Sequence, residues 1–311
     1  MSRLISLQYP SGVDLVIDYM LTFRCNYDCS YCISHDVDHP LISQSAEEIS
    51  EGLNYLANLF DKDNIKLNIL GGEPLLYKDF FNILHNLNDN ITCKIITNLS
   101  VSLDYIKKNF TTLNNRLEIR ASYHAEYADP DIFIEKILYL HSLKYNIKSP
   151  VAIHYDKDLF NKSLYVLESL KNLANPILLS KMGNNNEIYG DHYPYSNNQL
   201  DKIEKYSNSL IKPYKAVYDD KTLNYSYYDI ISQNKDNFKG MSCYAGHEKI
   251  HIKENGDVYP SACFLNTSVR LGNMFKKTVK KPNALVTCPF TFCRCQTDLE
   301  ITKENTNLSI F

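Results

Sequence analysis

Eight of the nine cysteines fall into two groups: Cys25, Cys29 and Cys32 near the start, and Cys243, Cys263, Cys288, Cys293 and Cys295 near the end. Cys93 stands alone between them. The N-terminal residues MSRLISLQYPSG lack the long apolar core of a secretion signal, so a reducing compartment is expected. Free thiols clustered in such a compartment are candidate metal ligands rather than disulfide partners. No run approaches the roughly 18 to 20 consecutive apolar residues of a membrane span, and the expectation is a soluble, cytoplasmic protein with no membrane partner. With 33 Lys+Arg against 36 Asp+Glu the net charge is −3, which gives no indication of nucleic acid as a partner. Cys93 opens an apolar run and reads as a small buried hydrophobe.

From Val13 to Asp156 short β-branched runs alternate with longer amphipathic ones, the pattern of βαβ units on a parallel sheet. Strands are expected at Val13 to Leu21, Lys66 to Leu70, Thr92 to Thr97, Leu117 to Tyr123, Val151 to Tyr155 and Pro176 to Ser180. Helices are expected at Ser45 to Phe60, Tyr77 to Asn88, Leu103 to Asn109, Pro130 to Tyr145 and Leu159 to Leu173. Asp129 followed by Pro130 supplies an N-cap and a proline at the first helical position. Right-handed crossovers would curl six such strands into an α/β, partial (β/α)6 TIM-like barrel, with its reactive rim at the carboxyl ends of the strands. Because the first strand begins about a dozen residues in, no appended leader-recognition domain is expected in front of it. The Asn-rich piece Gly183 to Glu187 reads as a loop.

After about Lys212 the texture changes to short strands, at Lys215 to Tyr218, Leu223 to Tyr228, and Lys249 to Lys253 paired with Val258 to Ser261 across Glu254-Asn255-Gly256. The Asn-Gly step is a hairpin signal. Two domains are therefore expected, residues 1–212 and 213–311. The second has little room for an apolar core and five cysteines, so a metal centre is expected to staple it.

The first group has the spacing C-x3-C-x2-C on the loop after the first strand. Three thiolates on one short loop can hold an iron-sulfur cube by three corners and leave the fourth iron open. A zinc site, which prefers paired C-x2-C knuckles and a fourth ligand, and three buried structural thiols are the alternatives. Immediately after the second strand comes Gly71-Gly72-Glu73-Pro74. Two glycines allow a close backbone approach to a ligand, and a carboxylate at Glu73 can pair with an ammonium. In these two motifs the sequence resembles the radical S-adenosylmethionine (SAM) enzymes. The resemblance implies that Cys25, Cys29 and Cys32 hold a 4Fe-4S cluster, that SAM chelates its open iron, and that Gly71, Gly72 and Glu73 meet the amino group of SAM. It places Tyr31 near the adenine and has Thr97 and Asn98 lining the pocket. Along the fourth strand Arg120, Ser122 and His124 share one face by period two. Set inside such a barrel, Ser122 becomes a candidate ribose contact, and Arg120 or His124 a contact to the SAM carboxylate or the substrate. His154 and Asp156 repeat the pattern on the fifth strand and are candidate pocket residues; a core histidine with its hydrogen bonds satisfied is the alternative.

The tail, with Ile250-His251-Ile252, Asn255-Gly256-Asp257-Val258-Tyr259-Pro260 and the ending Cys288-x4-Cys293-x-Cys295, resembles the SPASM or shorter Twitch extensions of the same family. That implies a second, auxiliary 4Fe-4S cluster. The match is partial, since six residues rather than four separate Gly256 from Cys263. Cys243 and Cys263 plus two of Cys288, Cys293 and Cys295 are the expected ligands, and the spare thiol is a candidate hydrogen-atom donor or a buried group. A structural zinc is the alternative. Apart from Cys295, His124 and His154 are the candidates for work on the substrate. The implied activity is reductive cleavage of SAM to a 5'-deoxyadenosyl radical that removes a hydrogen atom from a peptide or protein residue, a sugar or a nucleotide. An electron donor such as flavodoxin or ferredoxin is the implied partner. The competing class is a non-catalytic iron-sulfur or zinc adaptor, which has no need of a GGEP turn. Tyr193, Tyr195, Tyr225, Tyr227 and Tyr228 are candidates for a substrate pocket or for ordinary packing, and Lys276, Lys277, Lys280 and Lys281 for a phosphate contact or a solvated turn.

Overall fold

A computed structural model describes residues 2–32, 43–110, 113, 116–179, 193–206, 213–293 and 295–305. It forms two compact units. A terminal unit comprises Met1–Asp18, Gly52–Lys66 and Asn208–Phe311, and a central unit comprises Tyr19–Glu51 and Leu67–Ser207. In chain order the elements begin with β1 (Leu4–Gln8), β2 (Leu15–Thr22), α1 (Ala46–Phe60), β3 (Ile65–Gly71), α2 (Phe80–His85), β4 (Ile91–Thr97) and α3 (Leu103–Asn109). They continue with β5 (Leu117–Ala121), β6 (Tyr123–His124), α4 (Pro130–Ser142), β7 (Asn146–Ile153), α5 (Lys157–Ser169), β8 (Ala174–Leu178) and α6 (Asn197–Glu204). The tail adds β9 (Tyr214–Tyr218), β10 (Thr222–Tyr225), α7 (Tyr227–Ser232), β11 (Ser242–Cys243), β12 (Lys249–Ile252), β13 (Asp257–Tyr259), β14 (Gly272–Asn273), β15 (Val286–Thr287), α8 (Gln296–Leu299) and β16 (Lys303–Glu304).

In the central unit β4 and β5 run parallel, with Ile95 opposite Ile119 and Thr97 opposite Ala121, and β7 is parallel to β5, β6 and β8. Period-two burial explains the choice of residues: β4 turns Ile91, Cys93, Ile95 and Thr97 inward, and β5 turns in Leu117, Ile119 and Ala121. Cys93 is buried in this sheet, as its apolar setting implies. The helices start where their caps allow. Asp129 accepts the Ile132 amide at 3.0 Å ahead of Pro130, and Ser45 and Glu48 exchange reciprocal bonds at the head of α1 (Glu48 N–H to Ser45 Oγ 3.2 Å, Ser45 N–H to Glu48 Oε2 2.8 Å).

Several expected boundaries move. The strand expected at Leu117 to Tyr123 divides into β5 and β6 at Ser122, whose amide bonds the carbonyl of Thr97 at 2.8 Å while the next two residues pair with Val151 and Ala152. β7 begins five residues before the expected Val151 and carries Pro150 within it, opposite Asn175, because a proline removes one ladder bond and not the strand. The helix expected at Tyr77 to Asn88 shrinks to the six residues of α2, with a 3-10 turn at Pro74–Leu76 ahead of it. Ser180 and the Gly183 to Glu187 piece lie outside the described residues.

In the terminal unit β1 is a strand where none was expected. It lies between β9 and β16, both antiparallel to it, with Leu7 opposite Ala216 on one side and Lys303 on the other. The strand expected at Leu223 to Tyr228 ends at Tyr225, because Ser226 and Asp229 form a capping box that starts α7. β12 and β13 pair antiparallel, His251 opposite Tyr259. Gly256 turns between them at φ +82°, where a Cβ would stand 2.3 Å from Cδ2 of Phe275. Leu7, Tyr214, Phe238, Met241 and Ile301 form the apolar centre of this unit, and Cys243 and Cys288 are part of it. Of the five tyrosines, Tyr193 and Tyr195 belong to the central unit and Tyr225 and Tyr227 to the terminal one, while the side chain of Tyr228 lies outside what is described. Lys276, Lys277, Lys280 and Lys281 are exposed. Among the described residues no helix is long and apolar enough to cross a membrane. Replacing the α4 cap, Asp129→Ala, is expected to lower stability by about 1 kcal/mol, read as a lower urea midpoint, with Asp129→Asn close to the parent.

Candidate functional site

The site is built where β2 and β3 end side by side. Gly72 N–H donates to Thr22 C=O at 2.6 Å and Glu73 N–H to Arg24 C=O at 2.8 Å, fastening the Gly-Gly-Glu-Pro turn to the start of the cysteine loop. A Cβ on Gly71, which has φ +138°, would stand 1.9 Å from the Thr22 carbonyl oxygen, and one on Gly72 2.2 Å from that of Arg24. The close approach that demands glycine here is therefore between two backbones, not only to a ligand. Glu73 also differs from its expected task. It is fully buried, and its Oε1 accepts the Leu75 amide (2.9 Å) and the Thr97 hydroxyl (2.7 Å) while Oε2 accepts the Asn98 amide (2.6 Å). Burial pushes its pKa up and the three bonds oppose that rise. The carboxylate ties the turn to the end of β4.

Above this floor lies a cavity of about 530 Å³ lined by Cys25, Cys29 and Cys32, by Gly71 and Gly72 of the turn, by Thr97 and Asn98, and by Ser122 and His124. Tyr27 and Tyr31 complete its wall. The structure thus brings ten of the sequence-derived candidates to one place. Arg120, although two residues before Ser122 on the same strand face, does not line the cavity. Cys29 is buried, and Cys25 and Cys32 are exposed. Cys25 Sγ accepts the Tyr27 amide at 3.4 Å and Asn98 Nδ2 at 3.5 Å. Burial raises the thiol pKa of Cys25, and pushes that of Cys29 up to about 12. Among the described residues no three His, Cys, Asp or Glu side chains surround the position of a single metal ion.

One wall carries a network that the sequence only hinted at. Tyr31 hydroxyl and His124 Nδ1 are 2.9 Å apart, with the rings stacked at 5.9 Å and 18°. Burial lowers the pKa of His124 to about 4 despite the opposing charge of Glu126, so the ring is neutral at pH 7. Glu126 accepts the Ser30 amide at 2.9 Å and the Ser30 hydroxyl, and its Oε1 lies 3.1 Å from His154 Nε2. Because His154 Nδ1 accepts the Asp156 amide at 3.0 Å, its ring proton sits on Nε2, directed at Glu126. Asp156 caps α5 through Asp158 and Leu159, the work of a helix start rather than of a pocket acid. Glu126 is not among the sequence-derived candidates: it lies in the turn after β6, beyond the reach of a strand's period of two.

In the terminal unit Cys243 ends β11 opposite Val286, Cys288 follows β15 with its amide bonded to the Met241 carbonyl at 2.8 Å, Cys263 lies in the turn Ala262–Phe264, and Cys293 lies on a loop where its amide bonds the Asp236 carbonyl at 2.9 Å. Cys243 and Cys288 belong to the apolar centre of the unit, and Cys293 packs against it. Burial raises Cys243 with Cys288 adding to the rise, and pushes Cys293 up to about 12 with Cys243 and Cys288 adding. Cys263, exposed as a residue, has a desolvated thiol raised further by Asp298 and then by Cys293 and Cys243. Cys295 has other company: it precedes α8, with Thr297 Oγ1 3.2 Å from its sulfur.

The neutral, half-buried His124 sets a pH dependence. Below about 6.5 the unfolded imidazole gains a proton that the folded one refuses until about 4, so the unfolded state binds more protons in that window and stability falls as pH drops through it. The urea midpoint is expected to decline from pH 7 to pH 4.5, and less steeply in His124→Gln.

Residues 19–142 match the model of the Radical SAM superfamily. Among solved structures, Streptococcus suis SuiB bound to S-adenosylmethionine is similar with a TM-score of 0.54 and 17% identity, covering 85% of this chain and 64% of that one. Native anSMEcpe with bound AdoMet has a TM-score of 0.52 and 16% identity over 85% of this chain and 79% of that one. The same protein with bound AdoMet and the Kp18Cys peptide has 0.52, 17%, 85% and 78%. At these identities the likeness is one of fold, and the chain spans just under two thirds of SuiB. No curated protein matches.

Proposed function

We propose that this protein is a radical SAM enzyme. The observation that carries the reading is the single cavity in which the three thiols of C-x3-C-x2-C meet the glycine turn and the end of β4. The superfamily match over residues 19–142 and the fold shared with two SAM-bound proteins support it. The residues suit the cofactors: three cysteine sulfurs from one loop, the donors that an iron-sulfur cube takes, open onto a space large enough for a nucleoside. When bound, the cluster supplies an electron and SAM the 5'-deoxyadenosyl radical for removal of a hydrogen atom from a substrate.

The chain's own residues then have these tasks. Cys25, Cys29 and Cys32 hold the cluster, and Asn98 orients Cys25 through its sulfur. Gly71 and Gly72 offer SAM a backbone edge, while Glu73, buried beneath, fixes that edge in place. Ser122 and the neutral His124 face the nucleoside, and Tyr31 and Tyr27 cover it from the loop side. Glu126 holds the loop by Ser30 and steadies His154, so a disturbance of the wall is felt at the cysteines. In the tail the reading is a SPASM/Twitch-like extension in which Cys243, Cys288 and Cys293, packed in one cluster, together with Cys263 hold an auxiliary 4Fe-4S cluster and Cys295, outside that cluster, is the spare. A flavodoxin or ferredoxin is the proposed electron donor, and the substrate is a peptide or protein residue, a sugar or a nucleotide.

Anaerobic reconstitution is expected to load about eight irons per chain, and reduction in the presence of SAM to release 5'-deoxyadenosine; Cys29→Ala is expected to lose about four irons and that product. An iron-sulfur or zinc adaptor would release none. Because Cys29 is a thiol up to about pH 12, cluster assembly must expel its proton, and iron retained against a chelator is expected to rise between pH 6.5 and 8.5.

A further inference from the structure

The tail's sulfurs share their surroundings with a buried cation. Lys303 on β16 stands directly opposite Cys243 on β11 in an antiparallel pair. Residues so placed project from the same face of the sheet, with Cβ atoms roughly 4.5–5.5 Å apart. Lys303 is only 1% exposed. Its ammonium donates to the carbonyls of Asp298 and Leu299 (3.0 Å to the latter), at the end of α8, and lies 5.4 Å from the ring centre of Phe238. Among the described residues it meets no carboxylate. The contrast with Lys249 is informative: that buried lysine has Asp18 at 2.8 Å and Asp298 at 3.4 Å. An ammonium withdrawn from water is strongly unfavourable unless opposite charge or hydrogen bonds replace the solvent. Two carbonyls and a ring face replace part of it.

What remains on the same face is sulfur. Cys243 is itself buried, and Cys293 packs against the same apolar cluster. Four thiolates on an iron-sulfur cube leave a buried site with net negative charge that grows on reduction, and a fixed positive charge beside it favours the reduced form. We propose that Lys303 is the built-in counter-charge of the tail's cluster, a positioning residue that helps retain it and raises its reduction potential. This rests on reading Cys243, Cys263, Cys288 and Cys293 as an iron-sulfur site.

The test is an EPR-monitored redox titration of the reconstituted full-length protein, with iron content measured alongside, for the parent, two neutral variants, Lys303→Met and Lys303→Gln, and the charged Lys303→Arg. A shift of the tail-cluster potential to lower values in a folded neutral variant, with Lys303→Arg near the parent and the first cluster unmoved, supports the proposal. So does loss of about four irons in both neutral variants while Lys303→Arg keeps them. An unchanged potential in a neutral variant, an equal shift in Lys303→Arg, or loss of tail iron from all three overturns it. A parent protein with about four irons and a zinc in the tail overturns instead the reading beneath it.

Discussion

The two backbone bonds from Gly72 and Glu73 to Thr22 and Arg24 are the constraint on which the central unit depends. They set the root of the cysteine loop against the end of β3 at a separation that no side chain on Gly71 or Gly72 would permit. The buried Glu73 then extends the same junction to Thr97 and Asn98 at the end of β4, and Asn98 returns to Cys25. Three strand ends and one loop are thereby locked together without any contribution from a ligand. A site organised in this way is preorganised: its thiols are aimed by the sheet, and little ordering is left for binding to supply.

Around that junction the electrostatics lean toward neutrality. Cys29 is held as a thiol by burial and His124 is held uncharged, while Glu126 is occupied with Ser30 and His154.

The motifs that carry the chemistry were legible because they are local. C-x3-C-x2-C and Gly-Gly-Glu-Pro lie within single loops, and the period of two identified Ser122 and His124 as facing one way. What the sequence could not disclose was the direction in which a residue spends its hydrogen bonds. Glu73 looked like a free acid and is a strut; Asp156 looked like a pocket residue and is a cap. Arg120 obeys the strand period yet stops short of the cavity, because facing the right way does not fix the depth along the strand. Glu126 escaped notice because the turn after β6 ends the regular strand just before it. In the fold, helices with capping signals were placed well, whereas Leu4–Gln8 could not be read as a strand from its own residues, because both of its partners lie beyond residue 213.

That last pairing has a consequence for biosynthesis. β1 ends at Gln8, yet it meets β9 only once residue 214 has been made, and β16 only at residue 303. At about 5–20 residues per second, the first of these partners is missing for roughly ten to forty seconds. During that time Leu4–Gln8 is a short apolar strand with two open edges, the kind of segment that nascent-chain chaperones shelter. The central unit, whose strands pair with close neighbours in sequence, meets no such delay.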